Sequence, residues 1–536
     1  MSSEWNMKSY MKGAALLTIA AIVVKLLSAV YRVPFQNLVG DEGFYIYQQV
    51  YPFIAIITTW TSYGFAVALS KILSDYAAVG KENALNQVKK IAFFYIGFIS
   101  LVFFFILYFG AEFIADAMGD RQLAQLLHSG SFVILLMPFL AVLKGSFQAE
   151  GQMAPVAYAQ IIEQAVRVSV ILIGAWIVVS TSFDLYKAGS TAMYGAVVGE
   201  LAGILFLAVL YWKTMNRKEY KSSSRLVDKW RVVKELTAIS ISASISSMLF
   251  LLLQLVDSFT VFQLLLDSGV ERLAAMEIKG IYDRGQPLVQ LGIVIASTLS
   301  LAIVPLVAHR MNSSKGRSAV PFMQLTYRVA CTFGVAAALG LIVVMPFVNE
   351  MLFQTKAESV TLMVFSIQII WMSFILTLMA MLQGSGKVKL PTFLLLMGVI
   401  LKWIGNITLV PSYGILGAAI SGNISLVVVF LLMLLYVKKS WKMTFAPRKF
   451  YLGILISSLA MVVIVVGYTN LAESLLFSWL EGRMQSVLIS LTAVFLGAVT
   501  FLYVVAKRRV IAEKEWYLLP FGKRMAAIQL WLNKQE

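Results

Sequence analysis

The chain has 536 residues, 60% hydrophobic and 13% charged, with a mean hydropathy of +0.82. An average soluble domain carries roughly 25% charged residues, so the composition excludes a soluble globular protein and leaves a polytopic membrane protein. A single cysteine, Cys331, and two histidines, His128 and His309, exclude an intrachain disulfide and a thiolate metal site, and the formal charge of +17 raises the question of which side of the membrane it occupies.

Apolar runs bounded by charged and turn residues predict helices near 11–33, 44–70, 91–114, 123–146, 155–181 and 190–212. A second set follows near 236–263, 281–307, 319–347, 357–383, 391–410 and 413–436, and a last pair near 450–470 and 484–506. The first run continues past signal-peptide length into YRVPFQN without a small-x-small cleavage site, so it is expected to stay as a first helix. The expected fold is an all-α polytopic membrane protein of about 14 transmembrane helices. Alternate loops differ in charge: one set carries Lys71, Lys144, Lys387 and the run from Lys213 to Lys234, the other Asp41, Glu112, Asp120, Asp184, Glu350 and Glu473 with a few cations such as Arg272 and Lys279. The positive-inside rule then places both termini in the cytoplasm. A basic surplus spread over many loop ends beside an anionic leaflet, instead of one face, argues against nucleic acid as a partner.

The longest basic connection, Lys213 to Leu236, falls after the sixth helix. Tyr47 and Pro52 recur as Tyr282 and Pro287, Gln148 and Gly151 as Gln383 and Gly386, and Arg167 falls opposite Lys402, each pair 235 residues apart. Six helices separate the copies, an even number, so the halves are parallel repeats, a common transporter plan with the substrate between them. The organisation expected is a six-helix lobe with basic linker over 1–230, a second lobe over 231–444, and two extra helices with a basic cytoplasmic tail over 445–536.

Charges left inside predicted helices are Lys25, Arg32, Glu163, Arg167, Glu200, Asp257, Arg328 and Lys402. Lys25 and Arg32 are seven residues apart, so both project from one helix face about 10 Å apart along the axis. A cation at the bilayer centre costs roughly 2.5–3.5 kcal/mol on insertion scales, so such residues face water or an anion unless they snorkel. Arg32 and Arg328 lie near helix ends, where snorkelling and a cavity role are both open. Glu163 and Arg167 are spaced i, i+4 and can neutralise each other. Lys25, Asp257 and Lys402 have no such local partner. Glu200 is either a proton site or a buried protonated carboxyl. Asp283 and Arg284 fall at the outer entrance of the eighth predicted helix, where rim charges are the plain alternative. Neither a Walker A loop nor metal-ligand spacing occurs, so no catalytic residues and no cofactor are expected, and the protein is not expected to be an enzyme.

The segments VKLLSAVYRVPFQNLVGDEGFYIYQQVYP, YGFAVALSK, FQAEGQMAPVAYAQIIEQAVRV, YDRGQPLVQLG and LQGSGKVKLP resemble the bacterial polysaccharide-transporter branch of the multidrug, oligosaccharidyl-lipid and polysaccharide exporter superfamily. The similarity lies near stage V sporulation protein B and, more distantly, the lipid II flippases. It implies alternating access by two lobes, export of a lipid-linked saccharide across the bacterial plasma membrane, and a lipid groove at the last two helices. In the lipid II flippases, first-helix cations and an Asp-Arg pair serve a cationic cavity that takes the pyrophosphate. Lys25 and Arg32 match the former and Asp283 and Arg284 the latter, which makes them the implied substrate-binding residues. The implied partners are an undecaprenyl-diphosphate-linked saccharide, membrane lipids and cell-wall synthesis enzymes.

The flippases carry an arginine a turn after the second-helix proline, where this chain has Ile56 and Ile57. The resemblance therefore stops at a lipid-linked saccharide and does not specify lipid II. Sodium-coupled members place acidic or amide groups in the seventh and eleventh helices, where this chain has Asp257 and then Lys402 and Asn406. The expectation is that the Lys402 ammonium replaces the metal by pairing with Asp257. Asp257, Lys402, Asn406, Glu163, Arg167 and Glu200 are the expected coupling or gating residues. The competing functions are a small-molecule or drug antiporter, which usually stops at twelve helices, a membrane glycosyltransferase, for which every loop is short, and a non-transporting cell-wall scaffold.

Overall fold

The structure is a computed structural model that describes residues 16–17, 19–79, 84–181, 184–214, 227–294, 298, 320–387, 389–517 and 522–533. Every regular element among these residues is helical, as expected of a chain that must satisfy its backbone hydrogen bonds within each segment in lipid. Eleven described helices are long and apolar enough to cross a membrane. The chain forms two compact units, residues 1–283 and 284–536.

The first unit begins with α1, Ile19–Ala78. At 1.5 Å per residue a straight helix of that length would span about 90 Å, some three times the hydrocarbon core. It is broken at Gly40 (φ 71°, ψ −175°), a left-handed conformation that a side chain would resist. Its last part contains a π-helical turn, Trp60–Phe65. There follow α2 (Leu85–Phe109), α3 (Arg121–Ala149), α4 (Met153–Thr181) and α5 (Leu185–Thr214), then α6 (Lys229–Asp267) and α7 (Arg272–Asp283). Asp184 caps α5 by accepting from the backbone N–H groups of Tyr186 and Lys187, both at 3.1 Å. These bonds, that of Lys187 foremost, hold its carboxyl below the usual carboxylate range.

Helices α4 and α5 approach closely because α5 presents glycines one turn apart. A Cβ at Gly199 would lie 2.6 Å from the Glu163 carbonyl oxygen, and one at Gly203 would lie 2.4 Å from the Glu163 side chain. Small residues at this spacing let helix backbones approach. Gly280 on α7 is packed harder still, its absent Cβ falling 2.1 Å from the carbonyl oxygen of Asp41.

The second unit begins with α8 (Gly285–Gly292), followed by α9 (Val320–Phe353), α10 (Ser359–Gly384), α11 (Lys389–Trp441), α12 (Arg448–Leu476) and α13 (Gly482–Lys507). α11 is also a merged pair, broken at Gly414 (φ 57°). Two short tail helices, α14 (Glu513–Trp516) and α15 (Gly522–Asn533), follow. α14 ties back to α9 through an ion pair between Glu515 and Arg328.

The 235-residue offset recurs in backbone geometry. α3 ends in a turn in which Gly151 (φ 73°) donates to Gln148 O and Gln152 to Phe147 O, and α10 ends in one in which Gly386 (φ 75°) donates to Gln383 O and Lys387 to Leu382 O. Both are left-handed glycine caps. The predicted helix over 281–307 is different. α7 closes at Asp283 and α8 opens at Gly285, and most of the predicted helix beyond Gly292 lies outside the described residues.

Candidate functional site

The first unit gathers charge around one tyrosine. Arg32 is 0% exposed, and its Nε and both Nη atoms have no hydrogen-bond acceptor among the described residues. Its guanidinium lies 4.4 Å from the centroid of Tyr51, one α1 side chain above another, and the Arg167 guanidinium on α4 lies 5.9 Å from the same ring. Tyr31 and Tyr47 flank the group and share a hydroxyl hydrogen bond of 2.7 Å. Lys25, half-buried two turns before Arg32, makes no hydrogen bond or ion pair among the described residues. Arg32 thus does not snorkel to the interface: the break at Gly40 turns the chain back, and the aromatic residues of the second half of α1 cover it.

Such a cation is expensive. The effective penalty for burying an unpaired ion is several kcal/mol, and a desolvated cation–π contact returns about 2 kcal/mol. The contacts among the described residues therefore recover only part of that penalty. A ring binds the face of a guanidinium, and the N–H groups at its edge stay free for oxygen acceptors.

Glu163 does not neutralise Arg167, although the two are one turn apart on α4. Its Oε2 instead accepts from Lys144 Nζ at 2.9 Å, and its Oε1 is buried without a donor. Lys144, assigned from sequence to an inner loop, is 0% exposed inside α3 and also donates to Ser62 Oγ at 3.0 Å. The π turn of α1 carries that hydroxyl; such widened turns are frequent at functional sites. The glycines of α5 make room for the Glu163 side chain, since a Cβ at Gly203 would fall 2.4 Å from Glu163 Oε1. Arg167 keeps a buried Nε without an acceptor. Glu200 lies on the same face of α5 as Gly203 and is 8% exposed.

Other sequence-derived residues fall into separate clusters. Asp283 pairs with Lys279 at 2.6 Å, both fully buried on α7, so Lys279 is not a loop cation. Asp257 on α6 accepts from Tyr282 Oη at 2.9 Å. In the second unit Arg284 donates to Asn349 Oδ1 at 3.0 Å and lies 5.1 Å from the Phe353 ring centroid. Neighbours in sequence, Asp283 and Arg284 take different partners. Lys402 is buried and donates to the Ala418 carbonyl at 2.8 Å, a reach made possible by the break at Gly414, and Asn406 is buried one turn on. Sequence reasoning missed Lys144, Ser62 and Tyr51. Only the tyrosine carried a signal, since it adjoins Pro52 in the repeated frame.

The architecture is the polytopic helical fold shared by the lipid II flippase MurJ and the multidrug MATE transporters. The structure of lipid II flippase MurJ in an inward closed conformation matches with a TM-score of 0.67 at 15% identity, over 92% of this chain and 99% of that one. An inward-facing MATE transporter of the MOP superfamily matches at 0.60 and 14%, over 79% and 96%. The profile of the family described as polysaccharide biosynthesis protein matches residues 10–311, and the chain belongs to that family. Among its relatives in Bacillus subtilis (strain 168), the uncharacterized membrane protein YabM is 36% identical over 96% of both chains. Stage V sporulation protein B is 26% identical over 87% of this chain and 89% of its own length. The lipid II flippase MurJ is 21% identical over 92% and 94%. The protein is a multi-pass component of the bacterial plasma membrane.

Proposed function

We propose that the protein flips a lipid-linked saccharide, an undecaprenyl-diphosphate-linked precursor of a cell-envelope polysaccharide, by alternating access. The carrying observation is the buried guanidinium of Arg32, over the Tyr51 ring with three nitrogens that have no acceptor among the described residues, and a second guanidinium near the same ring. A diphosphate offers several anionic oxygens close together, and two arginines with Lys25 nearby match that chemistry. Arg32 is sealed from solvent here, so the substrate enters in another conformation, as alternating access requires. Membership of the polysaccharide biosynthesis family supports the saccharide, and similarity to stage V sporulation protein B and MurJ supports the lipid carrier.

The same reading has fourteen helices in two parallel repeats, 1–230 and 231–444, with the extra pair after 445 and both termini cytoplasmic. Asp283 and Arg284 add to substrate binding in it. Asp257 with Lys402 and Asn406 governs the balance between states. The test is flipping of a fluorescent undecaprenyl-diphosphate saccharide by proteoliposomes. The expected result is flipping by the wild type and its loss in Arg32→Ala and Lys25→Ala with insertion retained. Wild-type rates in both variants would overturn the assignment.

A further inference from the structure

The anion site leaves a carboxyl unexplained. Glu200 sits in the packed interface of α5 with α4 and is 8% exposed, and no hydrogen bond to its carboxyl occurs among the described residues. The charged groups acting on it are Glu163 and Arg167 from α4 and Lys144 from α3. α1, also packed on α5, reaches the cluster through Ser62 on Lys144, the phenol of Tyr63 beside Glu163, and the Tyr51 ring shared by Arg32 and Arg167.

Of these two cations Lys144 is already committed to Glu163 and Ser62, and Arg167 has no carboxylate partner among the described residues. Arg167 is also the cation whose side chain runs to Tyr51. When Arg167 faces Tyr51, Glu200 has no counter-ion, and an ionised carboxylate in that place costs several kcal/mol. A proton removes the charge. An anion beside Tyr51 would hold Arg167 there; without one, Arg167 also reaches positions nearer Glu200, where its charge weakens the hold on that proton.

We infer that Glu200 is an exchangeable proton-binding site, linked through Arg167 to the anion site at Arg32 and Tyr51. The proton comes from and returns to bulk water, with no other bond made or broken. The linkage, which rests on the anion reading of the site, has a fixed sign: binding an anion at Arg167 favours protonation of Glu200, and protonation of Glu200 tightens the anion by the same factor.

Infrared titration of the purified full-length protein in detergent tests the proton site without any ligand. The expected result is a protonated-carboxyl C=O band at neutral pH that bleaches as pH rises, is absent in Glu200→Gln and shifts in Glu200→Asp. A wild type without such a band, or a band unchanged in Glu200→Gln, overturns the inference. Binding of farnesyl diphosphate, a short-chain probe, tests the linkage. Wild-type affinity should fall about ten-fold across the titration of Glu200, the size of one pK unit of coupling, while Glu200→Gln keeps its low-pH affinity at high pH. Equal pH dependence in both proteins overturns the linkage. If the probe binds neither protein, the anion reading fails and the infrared result still decides the proton site.

Discussion

Replacing Tyr51 tests whether the aromatic ring pre-organises the cations for an anion. In Tyr51→Leu the volume is largely kept, but the ring that holds Arg32 at 4.4 Å and Arg167 at 5.9 Å is gone. The first distance is firm cation–π contact, whereas the second lies at the limit of about 6 Å, so Arg32 carries most of the effect. Because the guanidinium face meets the ring and its edge meets the anion, the ring acts in free and bound states alike. The change in affinity is then the cost of re-ordering a long side chain, about 0.5–1.5 kcal/mol per side chain. With one arginine fully affected and the other marginally, the expected loss is on the order of ten-fold. Tyr51→Phe keeps the ring and should stay within about two-fold of wild type. The assay is calorimetric titration with farnesyl diphosphate in detergent, after gel filtration has shown all three proteins monodisperse. Unchanged affinity in Tyr51→Leu, or an equal loss in Tyr51→Phe, would refute the reasoning, the latter by transferring the effect to the hydroxyl.

Four further predictions follow from other contacts. Lys144→Met leaves the buried Glu163 carboxylate unpaired, a change that costs about 3–5 kcal/mol, and should lower the thermal midpoint sharply; Lys144→Met with Glu163→Gln should recover much of it, and failure to recover would mean that the loss is one of packing. Gly280→Ala sets a Cβ against the Asp41 carbonyl, where no flexible side chain can yield, and should destabilise by about 1–3 kcal/mol, read by thermal scanning in detergent; a neutral result would show that α7 is not held against α1. Asp184→Ala removes the cap of α5 and should cost about 1 kcal/mol. Because the folded carboxyl is held below its unfolded range, that contribution is present above the unfolded value and disappears as pH falls through the folded one, so mutant and wild type should converge in acid. Flipping by proteoliposomes should proceed equally in sodium and in choline buffers if Lys402 serves in place of a metal ion; strict sodium dependence would remove that proposal.

The all-helical membrane class and the family were legible in sequence because they rest on features spread along the chain. Hydropathy runs set the helices, and the constant offset behind Gly151 and Gly386 reappears as the same left-handed cap. Individual charges were not legible from sequence spacing. Lys279 and Asp283, read as loop and rim charges, form an i, i+4 pair, whereas Glu163 and Arg167, spaced for such a pair, do not, since Glu163 meets Lys144 of another helix. Lys144 looked like a loop cation because it stands near the end of an apolar run, where depth in the membrane cannot be counted from residue number alone. Arg32 lay between interface and interior for the same reason. The fold decides both cases through the break at Gly40 and the π turn after Thr59, and neither has a hydropathy signature.

The most direct test of the central claim is native mass spectrometry of the protein purified gently from its own membrane. A bound undecaprenyl-diphosphate saccharide is expected in the wild type and its loss in Arg32→Ala. A wild type that retains only ordinary phospholipid, or an Arg32→Ala variant that retains the diphosphate lipid undiminished, would contradict that claim.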